Sequence, residues 1–258
     1  MNEVLSVSNL SKTFKLSKKQ QKLRNLHKPV ITAADQVSFT SYEGEVFGLL
    51  GPNGAGKTTT MRMLATLISP DSGDALVGGY SIVSQSQKVR QSIGFLTNEL
   101  KLDDFFTPNY LYDFFSEMHS IPKDKARARK TMLFEKFGID KFAEVKVANL
   151  SQGMKQKISL AVSIVHDPNI IIFDEPTNGL DVITAKVVMD FLLELKSQGK
   201  SIILSTHIFQ MVERLCDRAG IIIDGKMVAC ASVKEIAGTK TLEEAFFDIY
   251  HKTTGEAI

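Results

Sequence analysis

Three short stretches carry side chains able to do chemistry on a phosphate. The first, Gly51-Pro52-Asn53-Gly54-Ala55-Gly56-Lys57-Thr58-Thr59, fits the pattern G-x-x-x-x-G-K-[ST]. Its glycines let backbone N–H groups turn inward around phosphate oxygens with no Cβ in the way. Lys57 is placed to reach terminal phosphates, and the Thr58 hydroxyl suits a Mg²⁺ ion. The second is Asp174-Glu175, which ends the apolar run Ile170-Ile171-Ile172-Phe173. Asp174 suits the Mg²⁺ shell, through water, and Glu175 suits polarising a water that attacks a γ-phosphate. The third is His207, at the tip of Ser201-Ile202-Ile203-Leu204-Ser205-Thr206, where a neutral imidazole can hydrogen-bond the γ-phosphate and the attacking water. Taken singly, these are also a glycine-rich turn, a pair of turn carboxylates and a structural histidine. Found together in one chain, they favour a phosphate site.

Each stretch needs an element to hold it. Val46-Phe47-Gly48-Leu49-Leu50 reads as a buried strand before the glycine loop, and Met61 to Ile68 as a helix after it. Strand, loop and helix is the context that the pattern requires, and a helix starting near Lys57 adds its positive dipole end. The carboxylates at the end of Ile170 to Phe173 face the crevice where α/β sheets bind ligands. Residues 4–10 and 36–40 read as short strands, and Lys12 to Lys28 between them as a lysine-rich, solvated loop or a contact for an anionic surface. Phe14, at its start, is either a core aromatic or one that stacks on a purine.

Asp71-Ser72-Gly73-Asp74 reads as a turn, Ala75-Leu76-Val77 as a strand, Gln85 to Gln91 as a short helix and Ile93 to Leu96 as a strand. From Asp103 to Ala148 the spacing is helical throughout, with Thr107-Pro108, Pro122 and Gly138 as punctuation. The basic residues Lys123, Lys125, Arg127, Arg129 and Lys130 there read as a solvated face. Ser151 reads as an N-cap of the run to Val165. Residues 219–230 read as a hairpin around Asp224-Gly225, and Ser232…Glu235 and Thr241…Glu244 as capping boxes opening two short closing helices.

Composition narrows the class. The chain has 258 residues, 43% of them hydrophobic, enough for one large domain or a domain with a subdomain. A net charge of +2, from 31 basic and 29 acidic residues, argues against a protein that coats nucleic acid. Cys216 and Cys230 lack metal-type spacing and read as reduced thiols of a cytosolic protein. Met1-Asn2-Glu3-Val4 does not read as a signal peptide, and no apolar run approaches the ~18–20 residues needed to span a bilayer. Any membrane role is expected to come through a partner.

As a set, the motifs resemble those of the ATP-binding subunit of an ABC transporter along nearly the whole chain. Gly51 to Thr59 resembles the Walker A loop, and Ile170 to Glu175 the Walker B strand with its catalytic glutamate. Leu150-Ser151-Gln152-Gly153-Met154 is similar to the LSGGQ signature, Asn178-Gly179-Leu180-Asp181 to the D-loop, and His207 to the switch histidine. Two motifs depart from the family pattern. Gln152 and Met154 replace a glycine and the glutamine of the signature, keeping Ser151 and Gly153; Asn98 stands at the Q-loop position, one methylene shorter than glutamine. The adenine-stacking aromatic corresponds to Phe14.

The resemblance implies an α/β P-loop NTPase fold: an ABC-type core with a mixed sheet, an antiparallel β subdomain and an inserted all-helical subdomain. The expected division is one ATP-binding domain, with residues 1–98 and 149–230 as core, 99–148 as the helical insert and 231–258 as C-terminal helices. It implies an ATPase whose catalytic residues are Glu175, His207 and Lys57. Nucleotide contacts would come from Phe14, Gly51, Pro52, Asn53, Gly54, Ala55, Gly56, Lys57, Thr58, Thr59, Asn98, Ser151, Gly153 and Asp181. Mg²⁺ would be held at Thr58, Asn98 and Asp174.

Half of each site is expected from a second ATP-binding subunit, identical or related, in a head-to-tail dimer around two ATP. Membrane permease subunits are the implied partners, at the cytoplasmic face of the membrane, with no nucleic acid expected. The form of the signature and of Phe95-Leu96-Thr97-Asn98 resembles the NatA-type sodium-efflux branch of the exporters, with Na⁺ or drug-like cargo. Two alternatives stay open: a soluble ABC ATPase acting on ribosomes or DNA, which this single cassette without sustained heptads fits less well, and a P-loop kinase, against which Glu175 and the signature argue.

Overall fold

The computed structural model describes residues 2–16, 29–97 and 102–255. Asn98, the greater part of the basic segment (Lys18, Lys19, Lys22, Arg24 and Lys28) and the last three residues lie outside the described residues.

Two sheets share the strands. Four strands, β1 (Glu3–Lys15), β2 (Val30–Tyr42), β4 (Ser72–Val77) and β5 (Tyr80–Ser81), form an antiparallel sheet in the order β2-β1-β4-β5. Six others form the second sheet in the order β10-β9-β3-β8-β7-β6: β3 (Val46–Leu50), β6 (Ile93–Thr97), β7 (Ile170–Asp174), β8 (Ser201–Thr206), β9 (Arg218–Ile223) and β10 (Lys226–Ser232). Its pairings are parallel except β9 with β10, so the sheet is mixed, as expected of the fold class. Leu50 pairs with Thr206, and Asp174 with both Ser205 and Thr97, so the C-terminal ends of β3, β6, β7 and β8 share one edge. Carrying the motifs at those ends brings distant sequence together.

The central strands are buried on both faces, which is why they read as unbroken apolar runs rather than alternating ones. Alternation decides which core each residue joins. Ile171 and Phe173, with Ile202 and Leu204, pack among the helices on one face. Ile170, Ile172 and Ile203, with Phe47 and Leu49, pack on the other against helix α1 (Lys57–Leu64) and the antiparallel sheet. Each fully buried Ile, Leu or Phe contributes roughly 1.5–3 kcal/mol relative to exposure. A slip of one residue in β7 would therefore exchange both cores and turn Asp174 away from its neighbours.

Helices follow the sequence signals. They are α2 (Ser86–Ser92), α3 (Pro108–Met118), α4 (Lys123–Phe137), α5 (Gln152–Ser163), α6 (Val182–Ser197), α7 (Phe209–Leu215), α8 (Val233–Ala237) and α9 (Leu242–Thr254). Thr107 caps α3 by accepting from Tyr110 N, Ser151 caps α5 by accepting from Met154 N, and Gly138 closes α4 at φ 65°. Both capping boxes form. Between β6 and β7 the described residues hold helices and turns and no strand.

Several expectations need correction. β1 and β2 run well beyond residues 4–10 and 36–40, so Lys12 and Lys15 are strand residues. Asn9 (φ 52°) and Gln36 (φ 51°) break the polar–apolar alternation with bulges, which hides the strand continuation from a periodicity argument. Ser72-Gly73-Asp74 is strand, not turn, because β4 pairs along β1 as far as Ser11↔Ser72. Helix α1 ends at Leu64, four residues early, where Thr66 turns to φ 59°. In α4, Arg129 and Lys130 are not simply solvated: Arg129 donates to Ile164 O at 3.2 Å and pairs with Asp167, and Lys130 pairs with Asp113 at 2.8 Å.

One contact ties α3 to the sheet. His119, which closes α3, stacks on His166 with centroids 4.0 Å apart and rings 1° from parallel. His166 Nε2–H donates to Ile93 O at 3.0 Å, and its buried Nδ1 has no partner among the described residues. Burial, with His119 and Arg129 beside it, holds the His166 pKa down at about 4, against the pull of the Ile93 carbonyl and Asp167. Between about pH 4 and the ordinary value of 6.5, the unfolded chain therefore binds more protons here than the folded one. Stability from this contact is complete above pH 6.5 and is lost as pH falls towards 4. Thermal unfolding of His166→Phe, followed from pH 7 to 4.5, should show a shallower loss of stability on acidification than the parent chain.

Candidate active site

The glycine loop leaves β3 at Leu50 and enters α1 at Lys57. Space demands glycine at two of its positions. A Cβ on Gly56, whose φ is 106°, would stand 2.0 Å from Ala33 O, and one on Gly51 would stand 2.3 Å from Ile222 O. The bare loop thus lies directly against β2 and β9. The β9–β10 turn fastens it there: Gly225 N donates to Ala55 O at 2.9 Å, and Asp35 N to Gly225 O at 2.8 Å.

Lys57 is 4% exposed and folds across the loop, with Nζ donating to Gly51 O at 2.7 Å and Pro52 O at 3.1 Å. The same ammonium is 3.3 Å from Glu175 Oε1. Beside it, Thr58 Oγ1 donates to Asp174 Oδ1 at 3.1 Å. Loop and carboxylates, 116 residues apart in sequence, are therefore in direct contact.

Ser205, on β8, is a residue that the sequence reading left without a role. Its hydroxyl donates to Asp174 Oδ1 and accepts Glu175 N–H at 3.1 Å, a bond that the Ser205 carbonyl shares at 3.1 Å. Glu175 sits at φ 53°, a left-handed conformation that costs a non-glycine residue on the order of 1 kcal/mol, and Ser205 is what holds it there. The signal was a fully buried serine in an apolar strand, a polar group that must find partners. Gln156 is a second such residue. It is buried on α5 and donates to Pro176 O at 3.1 Å, linking that helix to the residue after Glu175. His207 Nδ1 is 2.8 Å from Glu175 Oε2. With a carboxylate as its partner, Nδ1 carries the proton.

Lys57, Thr58, Asp174 and Glu175 border a cleft of about 680 Å³, within the usual range for small-molecule sites, which His207 meets only through its bond to Glu175. Asn53, Gly54, Gly56, Lys57, Thr58 and Thr59 of the loop and the start of α1 line it, with Asp174 and Glu175. Phe14, 40% exposed, and Ile31 line the wall given by the antiparallel sheet, and Arg62 of α1 also borders the cleft. Gly51, Pro52 and Ala55 act through carbonyls and loop bonds rather than as cleft wall.

Ser151, Gly153 and Asp181 do not border this cleft. They form a separate cluster. Asp181 caps α6, accepting from Ile183 N and Thr184 N at 3.0 Å and from Thr184 Oγ1 at 2.7 Å, bonds that hold its carboxyl below the usual range. A Cβ on Gly153 would stand 3.1 Å from the same Thr184 oxygen. Ser151 is exposed beside them. The chain therefore divides its expected nucleotide contacts between two surfaces.

The sequence profile of the ABC transporter family matches residues 34–178. The ABC transporter ATP-binding protein NatA of Bacillus subtilis is 36% identical over 218 residues, covering 84% of this chain and 89% of that one. The chain belongs to the ABC transporter ATP-binding family. The linearmycin resistance ATP-binding protein LnrL of Bacillus subtilis is 37% identical, covering 81% of this chain and 65% of its own length. Among solved structures, an ATP-binding subunit of an ABC transporter superposes with a TM-score of 0.82 at 25% identity, covering 96% and 99% of the two chains. A dimeric ATP-binding cassette bound to ADP and Pi shares the fold at a TM-score of 0.77 and 23% identity. As an ABC-type ATPase, the chain binds and hydrolyses ATP.

Two substitutions probe the ABC site geometry. Ser205→Ala removes the hydroxyl shared by Asp174 and Glu175, and single-turnover hydrolysis should slow by about tenfold or more, with ATP binding retained. Gly56→Ala forces the loop backbone off Ala33, and nucleotide titration should show binding weakened by more than about tenfold.

Proposed function

We propose that this chain is the ATP-hydrolysing motor subunit of a membrane exporter, and that its site works as follows. The observation that carries the reading is the convergence of Lys57, Thr58, Asp174, Glu175 and His207 at one sheet edge. The loop amides and Lys57 bind the ATP phosphates. Phe14 stacks on the base. Glu175 takes a proton from the attacking water as it approaches the γ-phosphate, and His207 orients Glu175 through Nδ1 while its other nitrogen meets the water or the γ-phosphate. The Lys57 ammonium, 3.3 Å from Glu175, stabilises charge that develops on the phosphoryl oxygens.

The paired Thr58 hydroxyl and Asp174 carboxylate are a hard-oxygen donor set of the kind that takes Mg²⁺ with substrate phosphates and waters. Bound there, with Asn98 as a further donor, the ion would neutralise the β- and γ-phosphate oxygens.

Closure needs a second ATP-binding subunit, the same chain or a relative. Ser151 and Gly153 of one subunit would complete the cleft of the other, with Asp181 at the seam. Support comes from the position of this cluster outside its own chain's cleft, and from Val182 and Ile183, 85% and 78% exposed beside Asp181. ATP then holds the subunits together and hydrolysis releases them. The helices of residues 99–148 serve as the subdomain that passes this closure to permease subunits, on a core of residues 1–98 and 149–230 with closing helices from 231. No described helix is long and apolar enough to cross a membrane, so the cytoplasmic face would be reached through the permease.

The export direction rests on the resemblance of the motifs to the NatA-type branch and on similarity to the Nod factor export ATP-binding protein I of Burkholderia orbicola, 39% identical over 193 residues. Na⁺ or a drug-like molecule is the cargo class that this similarity favours. Affinity purification of the chain from detergent-solubilised native membranes should recover a permease in stoichiometric amount. Recovery of ribosomal or DNA-associated proteins alone would overturn the transport reading. For the chemistry, Glu175→Gln should bind ATP normally and hydrolyse it about 10²–10⁴ times more slowly in single turnover; unchanged turnover would remove Glu175 from its role.

A further inference from the structure

Phe14 reaches the cleft from a stretch of β1 that has only one strand neighbour among the described residues. β1 pairs with β4 no further than Ser11↔Ser72, and beyond that point its ladder continues with β2 alone, through Phe14↔Ile31. That remaining ladder is irregular, shifting register between Leu10 and Lys12 and again between Lys12 and Thr13. Shifts of this kind bend a strand and leave its direction loosely set.

Asp71 stands on the open side. Its N–H donates to Ser11 O at 2.8 Å. Its Oδ2 accepts Thr13 N–H at 2.7 Å and Thr13 Oγ1–H at 2.8 Å, and its Oδ1 accepts from Lys12 Nζ at 2.7 Å. One carboxylate thus takes the edge donor of Thr13 where β4 has stopped. The Lys12 ammonium that it holds is 5.9 Å from the centre of the Phe14 ring. Lys12 and Thr13 keep the Asp71 carboxyl down at about 2, so it is an ionised acceptor throughout the neutral range. Bonds to an exposed carboxylate add little to global stability, but they can order a strand edge locally.

We propose that Asp71 is a positioning residue for the nucleotide: by closing the open edge of β1 at Thr13, it sets the Phe14 ring against the base of ATP. The proposal rests on the reading of Phe14 as the base-stacking aromatic. It predicts that Asp71 affects recognition of the base, not of the phosphates.

The test compares the full chain with Asp71→Ala, Asp71→Asn, Phe14→Ala and the double variant Asp71→Ala/Phe14→Ala. Calorimetric titration with ATP and with inorganic tripolyphosphate, which has no base, is paired with steady-state hydrolysis. Asp71→Ala should raise the ATP dissociation constant and KM by about fivefold, the low end of what base–aromatic stacking supplies, with the change confined to KM. Tripolyphosphate binding should be unchanged, Asp71→Asn should be milder, and Asp71→Ala should add nothing in the Phe14→Ala background. Equal weakening of tripolyphosphate, or additive effects in the double variant, would overturn the proposal by showing a general structural loss. A silent Asp71→Ala beside a weakened Phe14→Ala would overturn the positioning role alone. A silent Phe14→Ala would remove the stacking reading and the proposal with it.

Discussion

A nearly buried ammonium facing a nearly buried carboxylate is the constraint on which the site depends. Lys57 is 4% exposed and Glu175 11%, and their charges are 3.3 Å apart. Ions removed from water must be paired and hydrogen-bonded, or the fold pays a desolvation penalty of several kcal/mol for each. Here the pairing is over-determined. The Gly51 and Pro52 carbonyls satisfy the ammonium from one side, and His207 binds the far oxygen of the carboxylate. The chemistry proposed for the site needs the same two charges at phosphate reach, so what settles the electrostatics would also pre-orient the proposed catalyst.

Holding that separation falls to the sheet. Lys57 follows β3 and Glu175 follows β7, and these strands are not neighbours; β8 lies between them. Ser205 on β8 is therefore the spacer, touching Asp174 and Glu175 while its strand pairs with both β3 and β7. Two separate apolar cores, each fed by alternate residues of the same strands, fix the register that brings Ser205 opposite Asp174. Inside that register the N–H of the left-handed Glu175 finds its acceptors in the Ser205 carbonyl and hydroxyl. Packing on both faces thus sets which side chains meet at the edge.

The helical side is linked to the same carboxylate by a buried contact. Gln156, on the helix capped by Ser151, binds the Pro176 carbonyl next to Glu175. The exposed cap that would meet a neighbouring subunit and the carboxylate proposed to activate water are therefore joined by one helix and one hydrogen bond.

The sequence by itself determined the chemistry and the local frames that carry it. A glycine loop between a buried strand and a helix, acids at a strand end and a histidine at another are legible because each depends on residues adjacent in the chain. The caps at Thr107, Ser151, Ser232 and Thr241 are local for the same reason, as side-chain oxygens reach only three residues ahead. Tertiary structure alone decided what lies across strands. The polar continuations of β1 and β2 exist because they pair with each other through bulges, which erase the alternation by which strands are recognised. Ser205, Gln156 and Asp71 acquire their roles from partners 30, 20 and 58 residues away, and no spacing rule encodes such contacts. The separation of Ser151, Gly153 and Asp181 from the cleft is of the same kind: their motif is local, but the surface they occupy is set by how α5 and α6 pack on the sheet.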